Sequence, residues 1–110
     1  MLRILITTVE NLEQAERLSN EILERKLAGC VSMFPVISKY WWEGKIERSN
    51  EIMLLIKTHQ ALIRDLIDFI EERHPYEVPE ILVLPVDVAG EDYLRWMEDV
   101  TLRKAADADR

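Results

Sequence analysis

The sequence predicts an α+β fold: a ferredoxin-like β-α-β-β-α-β arrangement with one further helix at the C-terminal end. Three observations predict it. Apolar runs of strand length alternate with stretches of helical periodicity in that order. A turn signal, Glu43-Gly44-Lys45, separates two strand runs with no helix between them. Gly90 then introduces a last stretch whose apolar residues share one helical face. Right-handed crossovers would place both main helices on one face of an antiparallel sheet.

Each element has its own grounds. Leu2 to Val9 is apolar and β-branched, as a buried strand requires. Asn11 is a helix N-cap, with Gln14 three residues on completing a capping box. Leu12, Ala15, Leu18, Ile22 and Leu23 then fall on one face, and Gly29 is placed to stop the helix. Cys30 to Tyr40 forms the second strand. Pro35 within it gives no ladder hydrogen bond, so it marks an edge or a bulge. Ile52 to Thr58 forms the third strand, and the two make a long hairpin. The second helix runs from Ala61 to Glu72 with Leu62, Ile63, Leu66, Ile67 and Ile70 inward, and His74-Pro75-Tyr76 ends it. Ile81 to Val88 is the fourth strand. In the last helix Tyr93, Leu94, Met97 and Val100 are spaced for one face, and the polar tail from Ala105 to Arg110 is expected to fray.

A chain of 110 residues is the size of one domain, residues 1–110. Fourteen Lys and Arg against 21 Asp and Glu leave a net charge of −7, a field that repels phosphate backbones and argues against nucleic acid as a partner. The one cysteine, Cys30, leaves no intrachain disulfide. The apolar start, Met1 to Ile6, reads as a strand and not a signal peptide. No apolar run approaches the ~20 residues that cross a bilayer. The expectation is a cytoplasmic protein without membrane contact and with a reduced thiol.

Several blocks then narrow the reading. Lys26-Leu27-Ala28-Gly29-Cys30-Val31, Ser38-Lys39-Tyr40-Trp41-Trp42-Glu43-Gly44-Lys45, Lys57-Thr58, His74-Pro75-Tyr76-Glu77-Val78-Pro79-Glu80-Ile81 and Tyr93-Leu94-Arg95-Trp96-Met97 follow one another along nearly the whole chain. In content and order they resemble the CutA divalent-cation-tolerance family, with its "KLAACV", "S-x-Y-x-W-x-G-K", "HPYxVPEI" and "YLxWI" segments. Gly29 departs from the usual alanine and Ser32 from the common asparagine. Thr7 stands where some members carry a second cysteine, which argues against a thiol-rich metal site. The resemblance implies a ferredoxin-like fold, a tight homotrimer of PII-like architecture and a link to tolerance of divalent cations such as copper.

His74 is the first metal-ligand candidate, because imidazole suits copper at neutral pH and the residue lies in the family signature. Its plainer role is to cap a helix C-terminus. Cys30 is the second candidate, since a thiol is soft enough for copper(I), although a lone thiol also serves as a small buried apolar group. His59 reads as a solvated loop residue. One cysteine and two histidines cannot close a zinc site within one subunit, so a tight site needs carboxylates such as Glu77 or Glu80, or a second subunit. Asp87, Glu91 and Asp92 lack the calcium-loop spacing and read as solvated. No cofactor is required; copper or another divalent cation, weakly bound, is the expected ligand.

Tyr40, Trp41 and Trp42 cluster at a hairpin tip, where a two-stranded ribbon has little to pack on, so they read as a subunit contact. The stretch His74 to Glu80, stiffened by Pro75 and Pro79, reads as a rigid connection that could also wall a cleft near Lys57, Tyr76 and Glu80. Three functions follow: a trimeric binding protein responding to divalent cations, a trimeric scaffold for a protein partner, and an enzyme with a site shared between subunits. No nucleophile with an orienting base and no acid–base pair is present in the sequence, which argues against the third.

Overall fold

The computed structural model describes residues 1–102, so the expected frayed tail lies outside the described residues. Its elements are β1 (Leu2–Val9), α1 (Leu12–Glu24), β2 (Cys30–Trp42), β3 (Lys45–His59), a 3-10 turn (Gln60–Leu62), α2 (Ile63–Arg73), β4 (Leu82–Pro85) and α3 (Glu91–Thr101). The sheet is antiparallel in the order β2-β3-β1-β4, as the ferredoxin-like reading requires.

Side chains alternate across a sheet, so the register assigns the two faces. Leu5 opposes Ile56 and Thr7 opposes Leu54, and these residues face the main core with Ala15, Leu18 and Ile22 of α1 and Leu66, Phe69 and Ile70 of α2. Phe69, absent from the expected inward set, is buried with the Arg25 and Arg73 guanidinium groups 4.9 and 5.1 Å from its ring centre. Arg73 also reaches Glu21 at 2.6 Å and ties the two helices together. On α1 the expected face is narrower: Leu12 and Leu23 are exposed, and Ser19 is buried with its hydroxyl donating to the Glu16 carbonyl.

Thr7 carries the core's one unpartnered buried side-chain oxygen among the described residues. Thr7→Val keeps the branched shape and removes a desolvated hydroxyl, so it should stabilise by about 1 kcal/mol. A higher urea midpoint at unchanged m would show this, whereas a lower one would mean that the hydroxyl is bonded in solution.

Two expected boundaries are corrected. Gly29 does not end α1. The helix closes four residues earlier in a Schellman arrangement, with Lys26 N–H donating to Leu23 O, Leu27 N–H to Ile22 O, and Lys26 itself left-handed at φ 57°. Gly29 instead lies against α3, where an added Cβ would run into the Met97 sulfur. The fourth strand is also shorter than expected: Ile81 precedes it, and Val86 to Val88 follow it outside the ladder.

The hairpin is longer than expected. The β2–β3 register runs unbroken from Cys30↔Lys57 to Trp42↔Lys45, so Pro35 marks an edge strand and not a bulge. Glu43 and Gly44 take φ values of 50° and 78°, the left-handed pair that a two-residue type I′ turn needs. β1 pairs with β3 only as far as Ile52, so the outer half of the hairpin projects as an arm and the molecule measures 53 × 27 × 21 Å.

Candidate functional site

Two groups of functional side chains emerge, at opposite ends of the ladder. The first lies where β1 stops and the arm begins. His74 follows α2 and turns inward, 8% exposed. Its Nε2 lies 2.8 Å from the Thr8 carbonyl, and its Nδ1 accepts the Tyr76 N–H at 3.0 Å. Acceptance at Nδ1 assigns the neutral ring with its proton on Nε2, donating to Thr8. Burial lowers the His74 pKa below 6.5, opposed by the Thr8 hydrogen bond and the charge of Glu51. His74 therefore serves as a tie between the α2 end, the following loop and β1. A metal at either ring nitrogen would replace one of these bonds.

The tie places Tyr76 over the base of the arm, where its hydroxyl donates to Glu51 Oε2 at 2.7 Å. Burial raises the Tyr76 pKa first, and the hydrogen bond to Glu51 raises it further. The loop Tyr76–Glu80 and the arm thus bound an open cleft of ≈ 1270 Å³. Tyr40, Trp41 and Trp42 of the arm and Tyr76 of the loop are among its lining residues; Glu10, Glu51, Glu77 and Glu80 contribute carboxylates against the single ammonium of Lys39. Tyr40 is steadied by a 3.0 Å contact between its hydroxyl and that of Ser49. Trp41 is 72% exposed, and Ile37 and Ile46 nearby are also exposed.

The second group surrounds Cys30. Lys57 pairs with Cys30 across the ladder, its Nζ 3.9 Å from Sγ and 3.0 Å from the Ser32 hydroxyl. The Tyr93 hydroxyl of α3 approaches the same thiol, and its pKa is raised by burial and then by Cys30. Lys57, expected on the cleft wall with Tyr76 and Glu80, belongs here instead. Met53 opposes Thr8 and Lys57 opposes Ile4, so four residues of β3, about 13 Å, separate the two groups along the strand. The structure therefore does not bring His74 and Cys30 together. His59 is not a plain solvated residue: its Nδ1 accepts the Ala61 N–H and so caps the 3-10 turn, and its Nε2 lies 3.1 Å from the N-terminal amine. Among the described residues, no three His, Cys, Asp or Glu converge as a metal-holding group.

Glu51 was not foreseen as a site residue. It precedes the apolar run Ile52 to Ile56, where a carboxylate reads as an ordinary strand flank, and its partner Tyr76 is 25 positions away. α3 approaches Cys30 on the outer sheet face through Tyr93, while Phe34, Leu82 and Leu84 on that face remain exposed.

Comparison with known proteins agrees with this architecture. The profile of the "CutA1 divalent ion tolerance protein" family matches residues 3–100. The chain is 40% identical over 95 residues to the divalent-cation tolerance protein CutA of Pectobacterium atrosepticum, covering 86% of each chain. It is 39% identical over 99 residues to the chloroplastic protein CutA of Arabidopsis thaliana, covering 89% of this chain and 54% of that protein, so it spans about half the length of the plant relative. The solved structure of the periplasmic divalent cation tolerance protein CutA from Archaeoglobus fulgidus superimposes with a TM-score of 0.89 at 35% identity, covering 91% of this chain and 98% of that one. These relatives occupy more than one compartment, and no helix among the described residues is long and apolar enough to cross a membrane. The family description names a tolerance to ions and not a reaction. With its profile matched from Arg3 to Val100 and its fold shared, the chain belongs to the CutA1 divalent ion tolerance family.

Proposed function

We propose that the chain works as a homotrimeric binding protein in the response to divalent cations, copper among them, with its ligand held in clefts at subunit boundaries. The observation that carries this reading is the acidic cleft between the Tyr76–Glu80 loop and the arm, whose tip exposes Trp41 to solvent. Four carboxylates against one ammonium draw cations toward it. The uncovered rings at the arm's tip mark a surface that other copies cover. Edge strands on both sides of the sheet offer further pairing. The subunit number, three, comes from the family resemblance, and ring closure makes such an assembly self-limiting.

Of the two expected donors, His74 lies behind the cleft wall, and Cys30 of β2 lies opposite Lys57, toward the far end of β3. Copper at His74 replaces the Tyr76 N–H at Nδ1, so this ligand is weak by construction. Native mass spectrometry of protein purified without chelators should show three chains with retained ions. Calorimetric titration with copper(II) should weaken in His74→Ala. A monomer, or copper binding unchanged in folded His74→Ala and Cys30→Ser alike, contradicts the reading. The second reading is a scaffold that presents its outer sheet face to a protein partner, favoured by the exposure of Phe34, Leu82 and Leu84.

A further inference from the structure

Glu51 has an unusual position for a carboxylate. It is 8% exposed, yet it lines both the large cleft and the smaller hollow beside Pro35. Tyr76 satisfies Oε2, and the second oxygen has no hydrogen-bond partner among the described residues. Unlike the Thr7 hydroxyl, that oxygen is not sealed from solvent, and Glu51 lines the cleft, so a donor or cation entering there can reach it. No guanidinium or ammonium of the chain pairs with it among the described residues; the cleft's Lys39 makes no such bond.

We propose that the cleft binds a primary organic ammonium ion, whose N–H donates to the open oxygen of Glu51 while its carbons lie against the rings of Tyr40 and Tyr76. The proposal rests on the reading of the cleft as a ligand site and names the class of ligand. The walls select the class. A divalent ion asks for several converging hard oxygens, and no group of three ligating side chains converges among the described residues. Aromatic faces favour a weakly hydrated organic cation, held through the ring quadrupole and by apolar contact. Glu10, Glu77 and Glu80 around the same cleft add long-range attraction and repel carboxylate or phosphate ligands.

The test is calorimetric titration with n-butylammonium chloride, with the oligomer verified by sedimentation at each step. Butylammonium should bind the wild type, and Glu51→Gln, which keeps an acceptor for Tyr76, should weaken it by about tenfold or more. Tyr76→Phe keeps the ring and leaves the carboxylate in place, so binding should persist. Tetramethylammonium, which has no N–H, should bind more weakly, and magnesium should not compete at matched ionic strength. Absence of butylammonium binding in folded wild type, equal affinity in Glu51→Gln, or equal binding of tetramethylammonium overturns the proposal. Copper binding at the cleft without ammonium binding would remove only the ligand class. Failure of both would remove the cleft as a ligand site.

Discussion

A chain carrying both Trp41→Ala and Trp42→Ala is expected to fall apart on dilution to micromolar concentration while the wild type still sediments as an oligomer. The arm explains the size of the effect. β1 stops at Val9, so beyond Ile52 the hairpin has no third strand beside it. A two-stranded ribbon in water is marginal on its own. Its register nevertheless runs to the tip, where Trp41 is 72% exposed and Trp42 and Tyr40 are also exposed. Burying one large ring is worth roughly 1.5–3 kcal/mol. Two rings per subunit, repeated around a closed ring, exceed what a standard interface can lose and remain assembled at low concentration. Sedimentation velocity across a dilution series decides the matter. A wild-type monomer at micromolar concentration sinks the assembly itself. A double variant as stable as wild type keeps the assembly and removes the arm as its cause.

His74→Ala is expected to lower folding stability by about 1–3 kcal/mol at pH 8, because it strands the buried Thr8 carbonyl and the part-buried Tyr76 N–H. The same ring makes stability depend on pH. Its folded pKa is lowered below 6.5, by burial first, and unfolding returns it to the ordinary value. Between the folded pKa and 6.5 the unfolded chain therefore holds more protons. The stability that comes from keeping the ring neutral is complete above pH 6.5, declines as pH falls below it, and is gone below the folded pKa. His59 is shifted in the same direction, also by burial first, so His59→Gln is the control. Urea midpoints between pH 8 and 5.5 should fall in wild type and in His59→Gln, and fall less in His74→Gln. An identical decline in His74→Gln would place the pH sensitivity elsewhere. Stability of His74→Ala equal to wild type would show that the two backbone groups find other partners.

The sequence made the fold legible because the signals were local and periodic. Alternating apolar runs and the Glu43-Gly44 turn specify a hairpin whatever surrounds it, and the observed φ values agree. Misplaced boundaries had tertiary causes. Gly29 reads as a helix stop, but its missing side chain makes room for Met97, which comes 68 positions later. Leu23 lies on the right helical face, yet the face is buried only as far as the sheet reaches. The site was half legible. Tyr76, Glu80 and the arm's rings were found because they sit in a recognisable signature. Lys57 was misplaced because a strand residue's neighbours depend on register, and Glu51 was missed because nothing in a sequence shows which exposed-looking carboxylate a distant tyrosine will cover.

The arm also sets the order in which the molecule assembles. β2 and β3 meet through thirteen successive pairs that open from a two-residue turn, so each new pair closes almost no additional loop. Hairpins of this kind form in about 1–10 μs. β4 reaches β1 only by joining Arg3 to Pro85, a separation that spans most of the chain and dominates the folding time. The aromatic tip is therefore expected to form before the sheet that carries it is complete. In the proposed assembly, subunit recognition and chain folding then overlap in time, and refolding yield is expected to depend on chain concentration.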